Sequence, residues 1–191
     1  MTQFGLKMND EEVYLNEGRT GNGTINILAR RYWGRDATEE EMQRIYAAKS
    51  ELFNALPEAK PMPGALEALT AAKEAGMKIV LVTGSAQASL LGRLERHYPG
   101  FFHEELMVTG FDVKHGKPYP EPYLMGLQKA GMSAAQAVVI ENAPLGVEAG
   151  HAAGIFTIAA NTGPLPDKIL KDSGADLVLS DMYAVAEWIK L

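Results

Sequence analysis

The spacing of apolar residues along the chain changes at residues 61–64, where the sequence reads PMPG. Before this point apolar residues recur at helical intervals, as they do over residues 24–33. Thr38 and Glu41 then form the sequence pattern of a capping box, in which two side chains satisfy free backbone donors at the start of a helix. No strand is predicted in this part, so we expect residues 1–62 to fold as a small helical domain.

After this point, predicted helices alternate with short and uninterrupted apolar runs. Uninterrupted runs are typical of parallel strands, because helices cover both faces of such a sheet. Residues 63–191 are therefore predicted to form a core domain of the α/β class with a doubly wound parallel sheet. Sheets of this kind bind ligands beyond the carboxyl ends of their strands. The five predicted strands are residues 78–82, 106–109, 137–141, 155–160 and 176–180.

The first predicted strand is followed by Thr83, Gly84 and Ser85. A hydroxyl group, a glycine and the free N–H groups of the next helix together make a suitable cradle for an anion. The alternative is an ordinary strand-to-helix turn in which Ser85 caps the helix.

Lys117 lies in the loop after the second predicted strand and is followed directly by Pro118. Two further prolines fix the nearby backbone, so this lysine is placed rigidly above the sheet, where it suits a bound anion. A solvated loop lysine is the alternative. Tyr119 and Tyr123 are predicted to be packing residues at the start of the next helix.

The third predicted strand ends in Glu141 and Asn142. Carboxylate and amide oxygens are ligands that Mg²⁺ prefers, so these residues predict a metal site. The helix that follows carries Gly146 and Gly150 among other small residues, which let it approach the sheet closely.

The order of these strand-end features resembles that of the haloacid dehalogenase superfamily, specifically its β-phosphoglucomutase-like branch with a helical cap. Thr83 stands at the family's second motif, Lys117 at the third, and Glu141 with Asn142 at the fourth. The resemblance covers residues 63–191. It implies a Rossmann-like core, a helical cap, Mg²⁺ as the cofactor and an aspartyl-phosphate intermediate.

The resemblance also implies the roles of the strand-end residues. Thr83 and Lys117 would be catalytic. Thr83, Gly84, Ser85 and Lys117 would bind phosphate.

The family's nucleophile lies in an Asp-x-Asp motif at the end of the first, central strand, and no such motif occurs in this chain. Asp10 is the single carboxylate before Glu11, and no apolar strand surrounds it. By the resemblance, one strand–helix unit of roughly 30 residues is missing from the front, and residues 1–6 would lie in the first cap helix. The sheet would then have two unpaired strand edges. On this hypothesis the chain is a fragment or has a misassigned start, and it cannot form the aspartyl-phosphate by itself.

Residues 16–21 read NEGRTG and form the cap loop that, by the resemblance, closes over the site. The family usually has two acids at its fourth motif, so Asn142 leaves the predicted metal site with one negative charge fewer. Glu17 would reach the metal in the closed state and restore that charge. The alternative is that Glu17 and Arg19 form a solvated surface pair.

The same loop and the helix that carries Lys49 decide the substrate in the family. We therefore predict that Glu17, Arg19, Thr20 and Lys49 contact the substrate. Arg19 would hold a second phosphate group through two parallel hydrogen bonds.

The predicted function is Mg²⁺-dependent hydrolysis of a small phosphate compound, either a sugar phosphate or inorganic pyrophosphate. A β-phosphoglucomutase that interconverts glucose 1-phosphate and glucose 6-phosphate is the alternative. The mutase pattern has its cap-loop arginine where this chain has Gly21, whereas Arg19 here follows Gly18 directly. Lys49 matches a lysine of the mutase cap, but Ser50 replaces the usual asparagine. A further alternative is that the truncated chain is catalytically inactive.

Composition narrows the possible partners and compartments. The net charge is −6 without a block of Lys and Arg, which argues against binding to nucleic acid or to anionic membranes. The absence of cysteine excludes disulfides and thiolate nucleophiles. No apolar stretch is long enough to span a bilayer. We expect a cytoplasmic monomer whose partner is a small phosphorylated substrate.

Two other classes of protein fit the pattern less well. A phosphorelay receiver domain also carries a hydroxyl residue and a lysine at strand ends, but its lysine follows the last strand, and further predicted strands follow Lys117. A dinucleotide-binding domain needs a glycine fingerprint directly after a strand, and none occurs here. A non-enzymatic binding module is also an alternative.

Overall fold

Helices form the first part of the chain, and parallel strands alternate with helices in the second, in a computed structural model that describes residues 2–57, 59–85 and 88–191. The α-helices are α1 (Asp10–Leu15), α2 (Gly21–Trp33), α3 (Glu39–Ala55), α4 (Ala65–Glu74), α5 (Ala88–His97), α6 (Glu121–Ala130), α7 (Pro144–Ala152), α8 (Asp167–Asp172) and α9 (Met182–Ile189). The strands are β1 (Leu81–Val82), β2 (Met107–Val108), β3 (Val138–Glu141), β4 (Phe156–Ala160) and β5 (Leu177–Leu179).

The strands form two parallel sheets within the described part of the chain. β1 pairs with β2, and the second sheet has the order β3-β4-β5, in which Glu141 lies opposite Ala159. These sheets confirm the predicted α/β class with parallel strands. β1 is much shorter than the predicted strand 78–82, because it is paired with β2 over only two residues, Leu81 and Val82.

A cavity of about 820 Å³ lies between the two sheets, and we call it the inter-sheet groove. Its walls include β1 and β3, and helices α4, α6 and α9 contribute further lining residues. Among the described residues, β1 and β3 each pair with a neighbouring strand on one side only. The groove is therefore bounded by two strands that each have an unpaired edge, and the missing strand stays a prediction.

The helical first part has its own apolar core. Leu6, Ile25, Leu28 and Ile45 are almost fully buried there. The predicted capping box of α3 is confirmed, since the Glu41 N–H donates to the Thr38 hydroxyl at 3.3 Å and its carboxylate accepts from the Thr38 N–H at 2.8 Å. The apolar clusters of the second part use residues from 68 onward. The domain boundary between residues 62 and 63 stays a prediction.

The expectation that residues 1–6 belong to the first cap helix is wrong for the described residues. Thr2–Phe4 form a short 3₁₀ turn, and Gly5 then adopts a φ of +73° that a right-handed helix does not allow. The first α-helix begins only at Asp10, where Asn9 and Glu12 form a second capping box. In the described part of the chain, no helix has the length and apolar character needed to cross a membrane.

Candidate active site

The turn after β1 is tied to the end of β2. The Thr83 N–H donates to the Val108 carbonyl at 2.9 Å, and the Gly110 N–H donates to the Ser85 carbonyl at 3.1 Å. The Ser85 N–H donates to the Thr83 hydroxyl at 3.1 Å. Thr83, Gly84 and Ser85 are half-buried, so this turn is a fixed and partly desolvated surface at the end of the strand.

Lys117 is buried, with 5% of its side chain exposed, so it is not the solvated loop lysine of the alternative interpretation. Its ammonium group forms an ion pair with Oε1 of Glu141, whose side chain is 10% exposed, and it also donates to the Val82 carbonyl at 3.4 Å. Because buried charges are costly unless they are paired, each of these groups needs the other. The pair connects the end of β1 with the end of β3 across the inter-sheet groove.

Tyr123 donates its hydroxyl hydrogen to the same oxygen of Glu141, and its ring centroid lies 5.2 Å from the Lys117 ammonium. Burial, and then the charge of Glu141, raises the pKa of Tyr123 well above its usual value, so the hydroxyl stays a donor. The sequence predicted only a packing role for this tyrosine, and its position in α6 carries no local signal of a polar partner. Tyr119, also predicted to pack, is 58% exposed.

Gly146 in α7 provides the surface against which the Glu141 carboxylate rests. A Cβ atom at this position would lie 2.1–2.4 Å from the carboxylate atoms of Glu141. The sequence predicted that small residues let this helix approach the sheet closely, and the structure shows which group needs the space. Oε2 of Glu141 accepts a hydrogen bond of 3.2 Å from the Asn142 N–H.

The cap loop (residues 16–21) lies directly on these strand ends. The Asn142 side-chain amide donates to Glu17 Oε1 at 3.4 Å, although the two residues are 125 positions apart in the sequence. A Cβ atom on Gly116 would lie 2.4 Å from the Thr20 methyl group. The fold therefore brings Glu17 to Asn142 and Thr20 to the loop before Lys117.

Arg19 and Thr20 also have local partners within the first part of the chain. Arg19 is half-buried and donates to the Asn16 side chain at 3.2 Å, and no ion pair joins it to Glu17 among the described residues. Burial lowers the pKa of Arg19, and the nearby Glu148 opposes this effect. Thr20 caps α2 by accepting from the Gly23 N–H at 3.3 Å, a role that the sequence analysis did not assign to it.

Lys49 lies over an aromatic ring of its own helix, α3. Its ammonium group is 5.6 Å from the centroid of the Tyr46 ring, and that ring packs against Gly21 at the start of α2. Desolvation lowers the pKa of Lys49, although much of the residue is exposed. Its predicted contact with the substrate stays a prediction.

The oxygen atoms near Asn142 fit part of a Mg²⁺ shell. Within the described residues no cluster of three acidic, His or Cys side chains occurs. Glu141 accepts from the Asn142 backbone N–H and Glu17 from the Asn142 side-chain amide, so the site offers two carboxylates and one amide. Mg²⁺ has about six ligands in total, of which often only one or two are protein carboxylates and the rest are water and substrate oxygens. These residues suit such an ion and would not enclose it completely.

Comparison with known proteins places these residues in a family. The model of the haloacid dehalogenase-like hydrolases matches residues 1–160. The chain is 36% identical over 143 residues to the phosphorylated carbohydrates phosphatase of Thermotoga maritima, a match that covers 74% of this chain and 64% of that protein. It is 34% identical over 144 residues to hexitol phosphatase A of Escherichia coli, with 75% and 62% covered. The matches thus span a little under two thirds of the length of these relatives.

A solved structure from Bacteroides vulgatus, assigned as a β-phosphoglucomutase, superimposes with a TM-score of 0.93. The two sequences are 56% identical, and the match covers 98% of this chain and 76% of that one.

The hydrogen bond from Tyr123 to Glu141 predicts a measurable loss of stability. Tyr123→Phe should lower the free energy of unfolding by about 1.5–3 kcal/mol, because a buried hydrogen bond to a charged group is lost while the ring is kept. Urea unfolding followed by circular dichroism measures this difference. Tyr183→Phe is the control, since Tyr183 is 50% exposed, and it should change stability by less than about 0.5 kcal/mol. Equal effects of the two variants would contradict the assignment.

The contact between Gly146 and Glu141 predicts that Gly146→Ala is destabilising by about 1–3 kcal/mol, because the added methyl group overlaps a buried carboxylate. Gly126→Ala in α6 is the matched control, since its Cβ would meet Val80 and Val82 at 3.4–3.5 Å, close to ordinary contact distance. Alanine also favours a helix over glycine, so the control should be neutral or stabilising. Thermal and urea unfolding compare the two, and a stable Gly146→Ala protein would show that the carboxylate is free to move.

Proposed function

The chain belongs to the haloacid dehalogenase-like hydrolase family, and on this basis we propose that it carries a phosphoryl-transfer site for small phosphorylated carbohydrates. The observation that carries the proposal is the buried ion pair of Lys117 and Glu141 beneath the cap loop. A buried ammonium group next to a hydroxyl-bearing turn at the carboxyl ends of parallel strands suits an anionic substrate.

Lys117 and the turn after β1 bind the phosphoryl oxygens in this proposal. An ammonium group has three donors, and Glu141 and the Val82 carbonyl accept two of those of Lys117, which leaves one N–H for a phosphate oxygen. The Thr83 hydroxyl and the Gly84 N–H hold the other oxygens. Phosphoryl transfer depends mainly on such positioning and on neutralising charge.

Glu141, Asn142 and Glu17 would hold Mg²⁺, which when bound neutralises negative charge on the phosphoryl oxygens. Tyr123 and Lys117 occupy Oε1 of Glu141, so Oε2 is the oxygen that this carboxylate offers to a ligand. Asn142 carries no charge, so Glu17 supplies the second carboxylate only while the cap loop lies on the core.

We further propose that the nucleophile is an aspartate at the carboxyl end of a strand that lies in the inter-sheet groove. Two features support this proposal. β1 and β3 both line the groove and each has one unpaired edge, and strand edges of this kind readily accept a further strand. The groove also ends at Glu141, beside the proposed phosphate site. The 191 residues contain no Asp-x-Asp motif, so on this proposal the chain alone is inactive.

Hydrolysis is the reaction we favour, since two relatives are named as phosphatases of phosphorylated carbohydrates and of hexitol phosphate. Mutase activity is the second candidate, because the solved neighbour with 56% identity is assigned as a β-phosphoglucomutase. Inorganic pyrophosphate is a further substrate to test for hydrolysis. The cytoplasmic location and the monomeric state stay predictions.

Supplying the strand tests this proposal. An apolar segment that ends in Asp-x-Asp, co-refolded with the chain in the presence of Mg²⁺, should raise phosphate release from hexose and hexitol phosphates by at least about a hundredfold over the chain alone. A colorimetric phosphate assay measures release from a panel that includes glucose 1-phosphate, hexose 6-phosphates and pyrophosphate.

The control segment carries Asn in place of the first Asp and should give no increase. Equal turnover by the chain alone would rule out the strand as the source of the nucleophile. Conversion of β-glucose 1-phosphate into glucose 6-phosphate without release of phosphate would establish the mutase instead.

The proposed metal contact of Glu17 predicts a loss of Mg²⁺ affinity. Glu17→Ala in the complemented protein should raise the Mg²⁺ concentration needed for half-maximal turnover by about 10–100-fold, because one carboxylate is removed from the site. Glu11→Ala, an exposed acid in α1, is the charge-matched control and should leave that concentration unchanged. Isothermal titration with Mg²⁺ gives a second readout without turnover. If both variants needed the same Mg²⁺ concentration for half-maximal turnover, the metal-binding role of Glu17 would be contradicted.

A further inference from the structure

Two glycines of the core contact the cap loop so closely that a side chain on either would collide with the loop where it now lies. They are Gly84, in the turn after β1, and Gly116, directly before Lys117. Both belong to loops that the sequence analysis assigned to anion binding. The structure shows a second constraint on these two positions, because each must leave room for the cap loop.

At Gly84 the contact is between two backbones. A Cβ atom there would lie 2.4 Å from the Gly18 carbonyl oxygen and 3.1 Å from the Arg19 carbonyl oxygen. Cβ atoms essentially never approach other atoms closer than 3.0 Å, so one of the two backbones would have to move. The cap loop is fixed by its own hydrogen bonds, since the Arg19 N–H donates to the Asn16 carbonyl at 3.2 Å and the Asn16 side chain donates to the Glu12 carbonyl at 2.9 Å.

At Gly116 the contact is with a side chain. A Cβ atom there would lie 2.4 Å from the Thr20 methyl group and 3.3 Å from the Thr20 nitrogen. The Thr20 hydroxyl caps α2 by accepting from the Gly23 N–H at 3.3 Å, which opposes rotation of the side chain away from Gly116.

We propose that Gly84 and Gly116 are positioning residues that form the seat of the cap loop, and that they thereby decide whether Glu17 and Arg19 reach the substrate. With the loop seated, Glu17 lies within 3.4 Å of the Asn142 amide. A side chain at either glycine lifts the loop and moves both cap residues away from the strand ends. The consequence for turnover rests on the proposed function, whereas the seating of the loop does not.

The backbone of the core tolerates alanine at both positions. Gly84 and Gly116 are not among the glycines with positive φ, so alanine there meets no conformational strain of its own. Gly18 on the cap side differs, because its φ is +85° and substitution would strain the loop whatever it contacts. Alanine at positions 84 and 116 therefore tests the contact, while alanine at 18 would not.

Limited trypsin digestion of the full chain tests the seat without any substrate. Arg19 is half-buried in the seated loop, so the bond after Arg19 should be cleaved slowly, whereas Lys7 lies exposed in a non-helical segment. We expect Gly84→Ala to raise the ratio of cleavage after Arg19 to cleavage after Lys7 by at least about tenfold, because proteolysis follows the population of the open form. Mass spectrometry identifies the two products.

Gly92→Ala is the matched control, because among the atoms that the structure describes a Cβ at that helical position would meet the end of Arg96 alone, at 3.7 Å. Its cleavage ratio should equal that of the parent chain. An unchanged ratio in Gly84→Ala, or cleavage that rises equally after Arg19 and Lys7, would overturn the proposal, since the second result signals general unfolding.

A second pair of variants tests Gly116 by rescue. Gly116→Ala should raise the same ratio, and adding Thr20→Ser should return it to within about twofold of the parent, because serine keeps the capping hydroxyl but lacks the methyl group that the new Cβ would strike. Failure of Thr20→Ser to restore protection would also overturn the proposal. Neither experiment depends on the enzyme being a phosphatase, so absence of turnover would count against the proposed function alone.

Discussion

The buried ion pair between Lys117 and Glu141 is the interaction on which the rest of the site depends. Lys117 approaches from the loop after β2 and Glu141 from the end of β3, so the pair links two sheets that share no strand pairing in the described part of the chain. Neither charge could remain buried alone, because desolvation of a single ion is far more costly than desolvation of a bonded pair. The hydroxyl of Tyr123 adds a third partner at the same oxygen. The groove between the sheets is thus bridged at its functional end by polar groups, while aliphatic side chains line much of its length.

Close approach of backbones is the second constraint, and it explains why glycines occur where they do. Gly146 makes room for the Glu141 carboxylate, and Gly84 and Gly116 make room for the cap loop. All three are tied to predicted site residues: Gly84 is itself one, Gly116 directly precedes Lys117, and Gly146 packs on Glu141. The cap loop in turn brings Glu17 to Asn142, where the charge of the missing acid would be restored. The same short segments must therefore supply the binding groups and leave room for neighbouring atoms to pack closely.

Features that depend on neighbouring residues could be predicted from the sequence, whereas features that depend on tertiary contacts could not. The capping box of Thr38 and Glu41 was predictable because its partners are three residues apart and the hydrogen bonds need nothing else. The positions of the strands followed from uninterrupted apolar runs, but the length of β1 did not, because it is set by how much of β2 it can pair with. Residues 1–6 were assigned to a helix by resemblance, and Gly5 with the capping residue Asn9 instead ends one turn and begins a separate helix. The role of Tyr123 could not be predicted, since a tyrosine in an amphipathic helix is usually a packing residue.

The α/β class, the order of the strand-end residues and the absence of an Asp-x-Asp motif can be read from the amino-acid sequence. These follow from apolar periodicity, from turn and capping chemistry and from residue identity, all of which act over short distances along the chain. Three features become visible only in the folded chain: Lys117 is buried against Glu141, Tyr123 shares that carboxylate, and the cap loop rests on Gly84 and Gly116. Those contacts join residues far apart in sequence, and they depend on distances between whole elements that no local pattern encodes.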